Sequence, residues 1–286
     1  MMRLNSYQGK RLLALARGAD YAHAGETEAI DLVWSGLPKS RTQDVLDAGC
    51  GRGGTAAYVY RAGWGRVTGI DIEAESIVRA REIYPEISFE ICPAEQSDRV
   101  GKETFDIVCC FNAFYAFPDQ AAALFSFARA AKSGARLAIF DYTDPGSFGT
   151  TPLAKHVELQ RWNPLKLSGV GSLLDNAGWS LEVIRDVSTD YERWYRNFAT
   201  RIHDLQPILV QECGIEQTGL RRAGRHTLSW DEITAPVSKL WGEDWETLRA
   251  GYSTEHCRRH STLDATTPTR PCENWASWPA ECNIRQ

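Results

Sequence analysis

The stretch Val45-Leu46-Asp47-Ala48-Gly49-Cys50-Gly51-Arg52-Gly53-Gly54 decides how this chain reads, together with Gly69-Ile70-Asp71, which places Asp71 22 residues beyond Gly49. A short apolar run closed by glycines reads as a buried strand entering a tight turn and then a helix. Glycine lets the backbone pass close to a ligand, and the helix start presents free N–H groups. An acid about 20 residues on, at the tip of the next strand, is positioned to grip a ribose diol. The pattern predicts a nucleotide-like ligand on a doubly wound sheet.

Asp47 narrows the ligand. A dinucleotide fold usually carries G-x-G-x-x-G wrapped around a pyrophosphate. Here the glycines stand at 49, 51, 53 and 54, with an acid just before them. A carboxylate aimed into the turn opposes a pyrophosphate and suits a cation.

Outward from this turn, helix and strand patterns alternate. Strands are expected at 44–48, 66–71, 87–91, 105–111, 136–142 and 180–187, and helices at 54–62, 74–84, 119–132 and 168–178. Strand 105–111 is an almost continuous apolar run, as suits a central strand covered on both faces. Such alternation argues for an α/β fold, a Rossmann-like doubly wound, mostly parallel sheet with right-handed crossovers. Four regions are expected: a helical N-terminal cap over 1–43, the ligand-binding domain over 44–187 with an irregular insertion at 143–167, a helical lid or substrate region over 188–252, and a divergent or disordered tail over 253–286. No alternating or apolar run in that tail predicts a strand.

The motif V-L-D-A-G-C-G-R-G resembles the first motif of class I S-adenosylmethionine-dependent methyltransferases. Gly69-Ile70-Asp71, Phe105-Asp106-Ile107-Val108 and the segment from Ala121 through Phe140 follow in that family's order, so the resemblance covers about residues 44–187. The helical cap, the insertion after strand five and the aromatic segment after the sheet look most like small-molecule enzymes of the glycine/sarcosine/dimethylglycine and phosphoethanolamine type. The resemblance implies S-adenosyl-L-methionine as cofactor, with Asp47, Gly49, Cys50, Gly51 and Gly53 around its methionyl part, Asp71 on the ribose and Ile72 on adenine. Many relatives bind the adenine amine through an acid near position 93. This chain has Pro93 there, leaving Glu95 or a backbone carbonyl as the substitute. Relatives often carry a His near 116; Ala116 excludes that base.

The expected acceptor is a small molecule, with nitrogen favoured and oxygen or carbon as the alternative. A non-catalytic cofactor-binding module is the reading from another class. Asn112 and Tyr115, after the fourth strand, are candidates for cofactor or acceptor contacts, Tyr115 being the catalytic candidate. Tyr21, His23, Tyr142, Trp162, Arg193 and Trp194 lie in segments expected to cover the acceptor. Aromatic faces there can hold an alkylated ammonium by cation–π contact.

Composition bounds the rest. The 286 residues are 43% hydrophobic and 24% charged, with a formal net charge of −5, which gives no basic footprint for nucleic acid. No apolar run approaches the roughly 18 residues of a membrane span, and the start lacks an apolar signal core, so a cytoplasmic protein is expected. The neighbours Cys109 and Cys110 should point to opposite faces of one strand. Cys257, His260, Cys272 and Cys282 match no tight zinc spacing, and no metal is expected.

Overall fold

The computed structural model describes residues 7–144, 163–205 and 252–259, with Gly146, Pro207 and Ile208. Two cap helices, α1 (Tyr7–Arg17) and α2 (Glu26–Trp34), precede the sheet. Then follow β1 (Asp44–Ala48), α3 (Gly54–Arg61), β2 (Arg66–Asp71), α4 (Ala74–Ile83), β3 (Ser88–Ile91), β4 (Phe105–Phe111), α5 (Gln120–Ala130) and β5 (Ala131–Asp144). The short β6 (Leu165–Lys166), α6 (Val170–Asn176), β7 (Trp179–Asp186), α7 (Ser188–Asp204) and β8 (Tyr252–Arg259) complete the described elements.

The strand order is β3-β2-β1-β4-β5-β8-β7, with β6 pairing onto the end of β5. Pairings from β3 through β5 are parallel, whereas β8 runs antiparallel to both neighbours. The order reverses between β1 and β4, and the crevice at the carboxyl ends of those strands is where ligands of such sheets bind.

Period-two alternation splits the core across the sheet. Val45, Val67, Cys109, Phe111, Ala138 and Phe140 join one cluster with α1, α2, α3, α4 and α7. Leu46, Ile70, Val108, Cys110, Leu137 and Ile139 join the other with α5 and α6. Cys109 and Cys110 therefore serve opposite cores, and both are free thiols. Trp34 anchors the first core and Trp179 the second, each fully buried, and burial of such a side chain contributes about 1.5–3 kcal/mol. The Trp179 indole N–H also donates to the Leu124 carbonyl at 3.1 Å, which satisfies this buried donor. Asp119 caps α5 by accepting the Ala122 N–H at 2.9 Å, a contact worth about 1 kcal/mol.

Two differences from the sequence reading stand out. The region expected to be a strandless tail contains β8, which closes the gap between β5 and β7. Its sequence, Tyr-Ser-Thr-Glu-His-Cys-Arg-Arg, has no apolar stripe; backbone ladders on both sides define it, so propensity is overridden by pairing. Strand β5 is longer than 136–142, and it carries Thr143 and Asp144, expected in the insertion, as far as the β6 pairing. Most of the insertion, and most of the region expected as a helical lid or substrate region, lie outside the described residues.

Candidate active site

The turn after β1 is built by contacts only glycine permits. Gly49 has φ 79°, and a Cβ there would sit 2.3 Å from the Ala113 Cβ. The N–H groups of Gly49 and Cys50 both donate to the Ile70 carbonyl, at 2.8 and 2.9 Å, tying the turn to the end of β2. Gly54 opens α3 with the cap chain lying directly on it, since a Cβ would meet the Asp20 carbonyl oxygen at 2.5 Å.

Asp47 lies beneath this turn, 2% exposed. Its Oδ1 accepts from the Cys109 thiol at 3.9 Å, while its buried Oδ2 has no hydrogen-bond partner. Burial, and then the nearby Asp71, push its pKa up to about 7 against the opposing effect of the Ala56 backbone N–H and the Cys109 thiol. A buried acceptor without a donor is costly, and a cationic ligand group would relieve it.

Asp71, at the tip of β2, is 6% exposed. Its Oδ2 accepts from Gly51 N–H at 2.8 Å and from the Lys10 ammonium at 3.1 Å, and its Oδ1 accepts from Glu73 N–H at 2.9 Å. Beside it Ile72 is 71% exposed, an apolar surface of the kind a purine ring covers. Glu95 sits in the 3-10 turn after β3 and accepts from the Asp119 N–H at 3.3 Å, so it helps hold the start of α5. Cys50 is buried against Gly69, and burial first, then Asp47, raises its thiol pKa well above normal.

The end of β4 is held by two buried groups. Asp141 on β5 accepts from Phe114 N–H at 2.7 Å and Tyr115 N–H at 3.3 Å through Oδ2, and from Tyr142 N–H at 2.7 Å through Oδ1. Burial raises its pKa to about 7 against the opposing effect of these donors. Asn112 adopts φ 47°, and its Oδ1 accepts the Ala24 N–H at 3.1 Å. The Tyr115 ring meets Tyr142 edge-on at 5.1 Å, and the Tyr142 and Tyr195 hydroxyls are 2.9 Å apart. Burial, with lesser terms from Tyr142 and Asp141, drives the Tyr115 hydroxyl pKa strongly upward, so it stays neutral.

The cap folds over this edge. His23 is buried between Tyr21, at 5.6 Å, and Phe111, at 5.0 Å between ring centres. Its Nδ1 lies 2.9 Å from the Ala24 carbonyl, which can only accept, so Nδ1 carries the proton. Its Nε2, 3.0 Å from the Thr55 hydroxyl, therefore accepts. Burial lowers the His23 pKa to about 3, which makes it a neutral fastener of the cap. Arg52 donates to Asp20 at 2.7 Å, and the Tyr84 hydroxyl donates to the same carboxylate at 3.2 Å.

Two acceptor candidates lie on α7. Arg193 is exposed, because α7 buries the opposite face through Tyr191, Tyr195, Phe198 and Ile202. Trp194 stacks on Phe198 at 4.9 Å and has the Arg17 guanidinium 5.4 Å from its centroid. Trp162 lies outside the described residues, as does the side chain of Cys257. Sequence reading missed Lys10, Arg17 and Asp20, whose partners Asp71, Trp194 and Arg52 lie far along the chain. Among the described residues, no three His, Cys, Asp or Glu side chains form a metal-binding group, and no helix is long and apolar enough to cross a membrane.

The methyltransferase domain family matches residues 39–181, half of the chain. The ubiquinone biosynthesis O-methyltransferase of Hydrogenovibrio crunogenus is 32% identical over 94 residues, covering 32% of this chain and 39% of that protein. Phosphoethanolamine N-methyltransferase 1 of Triticum aestivum is 24% identical over 177 residues, covering 60% and 35% respectively. The chain thus spans well under half the length of these two curated relatives. Among solved structures, Haemonchus contortus phosphoethanolamine N-methyltransferase 2, with phosphomonomethylethanolamine and S-adenosylhomocysteine, superposes with a TM-score of 0.71 at 14% identity. That likeness covers 91% of this chain and 58% of the other, and it shows a shared fold.

Proposed function

The chain belongs to the methyltransferase domain family, and from that premise we propose that it transfers a methyl group from S-adenosylmethionine to the nitrogen of a small-molecule acceptor. The observation that carries the cofactor reading is Asp47 Oδ2, buried and unpartnered under the glycine turn. It suits a cationic amino-acid end and opposes a pyrophosphate. Asp71 and the exposed Ile72 support the same reading for the ribose and the adenine.

When bound, S-adenosylmethionine supplies the methyl group on an electropositive sulfonium. The chain's own residues contribute binding, orientation and exclusion of water, which carry much of the rate of an in-line displacement. Asp141 holds the Phe114–Tyr115 backbone, and with it the neutral Tyr115 hydroxyl, at the strand edge. Tyr115, Tyr142 and Tyr21 supply hydroxyls and ring faces for an alkylated amine.

Nitrogen is favoured by the character of the buried groups. His23 has its ring nitrogens engaged and a strongly lowered pKa, and Asp141 is filled by backbone donors. Neither is arranged to deprotonate a hydroxyl, which an oxygen acceptor usually requires. An amine attacks with its own lone pair once uncharged.

A labelled-methyl screen over amines, amino acids, phenols and carboxylates tests the reading. Label on an amine is the expected result. Label only on phenols or carbon acids would replace nitrogen with the oxygen or carbon alternative, and no transfer at all would remove the catalytic claim.

A further inference from the structure

Lys10, on α1, reaches across 61 positions of sequence to Asp71. Its ammonium lies 3.1 Å from Asp71 Oδ2 and 3.3 Å from Glu73 Oε2, with only 11% of its side chain exposed. Its stem runs over the glycine turn, since a Cβ on Gly51 would sit 3.7 Å from Lys10 Cδ and 3.9 Å from Cε. One side chain thus covers both features that mark the cofactor cleft, the open backbone of the turn and the acid at the tip of β2.

Counting acceptor sites shows the consequence. An ionised carboxylate offers about four lone-pair positions. Gly51 and Lys10 occupy Oδ2, and Glu73 N–H occupies one position on Oδ1. A ribose diol donates two hydrogen bonds, so it and Lys10 cannot both be accommodated in full.

We propose that Lys10 is a displaceable occupant of the ribose subsite, so that the cofactor's diol and the Lys10 ammonium are alternative partners of Asp71. The proposal rests on Asp71 as the ribose acid. In the ligand-free protein Lys10 supplies the counter-charge that this buried carboxylate needs, and it keeps α1 against the turn. Cofactor binding exchanges that ion pair for two neutral hydrogen bonds. The apparent affinity is therefore reduced by the fraction of molecules in which Lys10 is docked. Burial lowers the pKa of Lys10, yet attraction to Asp71 and Glu73 leaves it raised overall, so the ammonium keeps its proton near neutrality.

Calorimetric binding of adenosine and of 2′,3′-dideoxyadenosine, which lacks the diol, tests this without turnover. Lys10→Met is expected to tighten adenosine binding about three- to tenfold by removing the competitor and to leave the dideoxy probe unchanged. Lys10→Gln, which keeps much of the stem, should behave like Lys10→Met, while Lys10→Arg should stay near wild type. Weaker or unchanged adenosine binding in both neutral variants overturns the proposal, as does equal tightening of both probes. Asp71→Asn separates the two layers of argument. If it weakens adenosine while the Lys10 variants do nothing, only the displacement idea falls; if it leaves adenosine untouched, the ribose assignment falls and takes this proposal with it.

Discussion

Asn112 Oδ1 accepts the backbone N–H of Ala24 at 3.1 Å, linking residues 88 positions apart and fastening the cap to the end of the central strand. Asn112 also holds φ 47°, a conformation Asn tolerates better than most residues. Asn112→Ala should therefore lose about 1–3 kcal/mol of stability, from one hydrogen bond and left-handed strain. Urea unfolding measures it, and a loss below a few tenths would show that the link is idle.

The role proposed for Asp47 gives cofactor binding a pH dependence. Burial and Asp71 raise its pKa to about 7, so in the free protein it is largely protonated below that pH. A bound cation favours the carboxylate, so binding releases a proton and affinity should rise as pH climbs from 5.5 to 7.5, then level off. For folding the sign is opposite. A carboxyl with a raised folded pKa holds more protons folded than unfolded between about 4 and 7, so free-protein stability falls as pH rises through that window. Calorimetry with S-adenosylhomocysteine checks the binding slope, and Asp47→Asn should flatten it. A slope unchanged in that variant would assign the proton elsewhere.

Gly49 and Gly134 form a matched pair for the close approach at the turn. Both have positive φ, 79° and 75°, yet a Cβ on Gly49 collides with Ala113 while one on Gly134 meets nothing within 4 Å. Gly134→Ala should cost about 1–2 kcal/mol from backbone strain alone. Gly49→Ala adds steric overlap and should cost about 2–5 kcal/mol with loss of cofactor binding. Equal costs in thermal unfolding would deny the turn its tight packing.

Trp194 tests where the acceptor's charge is read. Its ring is engaged by Phe198 and Arg17, so it packs the lid rather than presenting a bare face. Trp194→Leu should reduce turnover of cationic and neutral acceptors by the same factor, whereas Tyr142→Phe should alter the ranking among acceptors. A selective loss for cationic acceptors in the Trp194 variant would restore the cage to that ring.

Much of this was legible because it is local. The strands expected at 44–48, 66–71 and 105–111 have those bounds in the structure, since short apolar runs flanked by polar residues or glycine signal both ends. The glycine turn and Asp71 were visible for the same reason. Strand β8 was not, because it owes its form to hydrogen bonds with β5 and β7 rather than to its side chains. The side of α7 that Arg193 occupies was not legible either, because it emerges only when Tyr191, Tyr195 and Phe198 take the core.

By itself the amino-acid order determined the alternating sheet and the place of the cofactor turn, since hydrophobic period and glycine geometry act over a few residues. Only the tertiary structure decided which charges meet there: Lys10 on Asp71, Asp20 on Arg52, Arg17 over Trp194. Such pairings join segments up to 177 positions apart, from Arg17 to Trp194, and a buried charge settles on whichever partner the packed chain brings within reach.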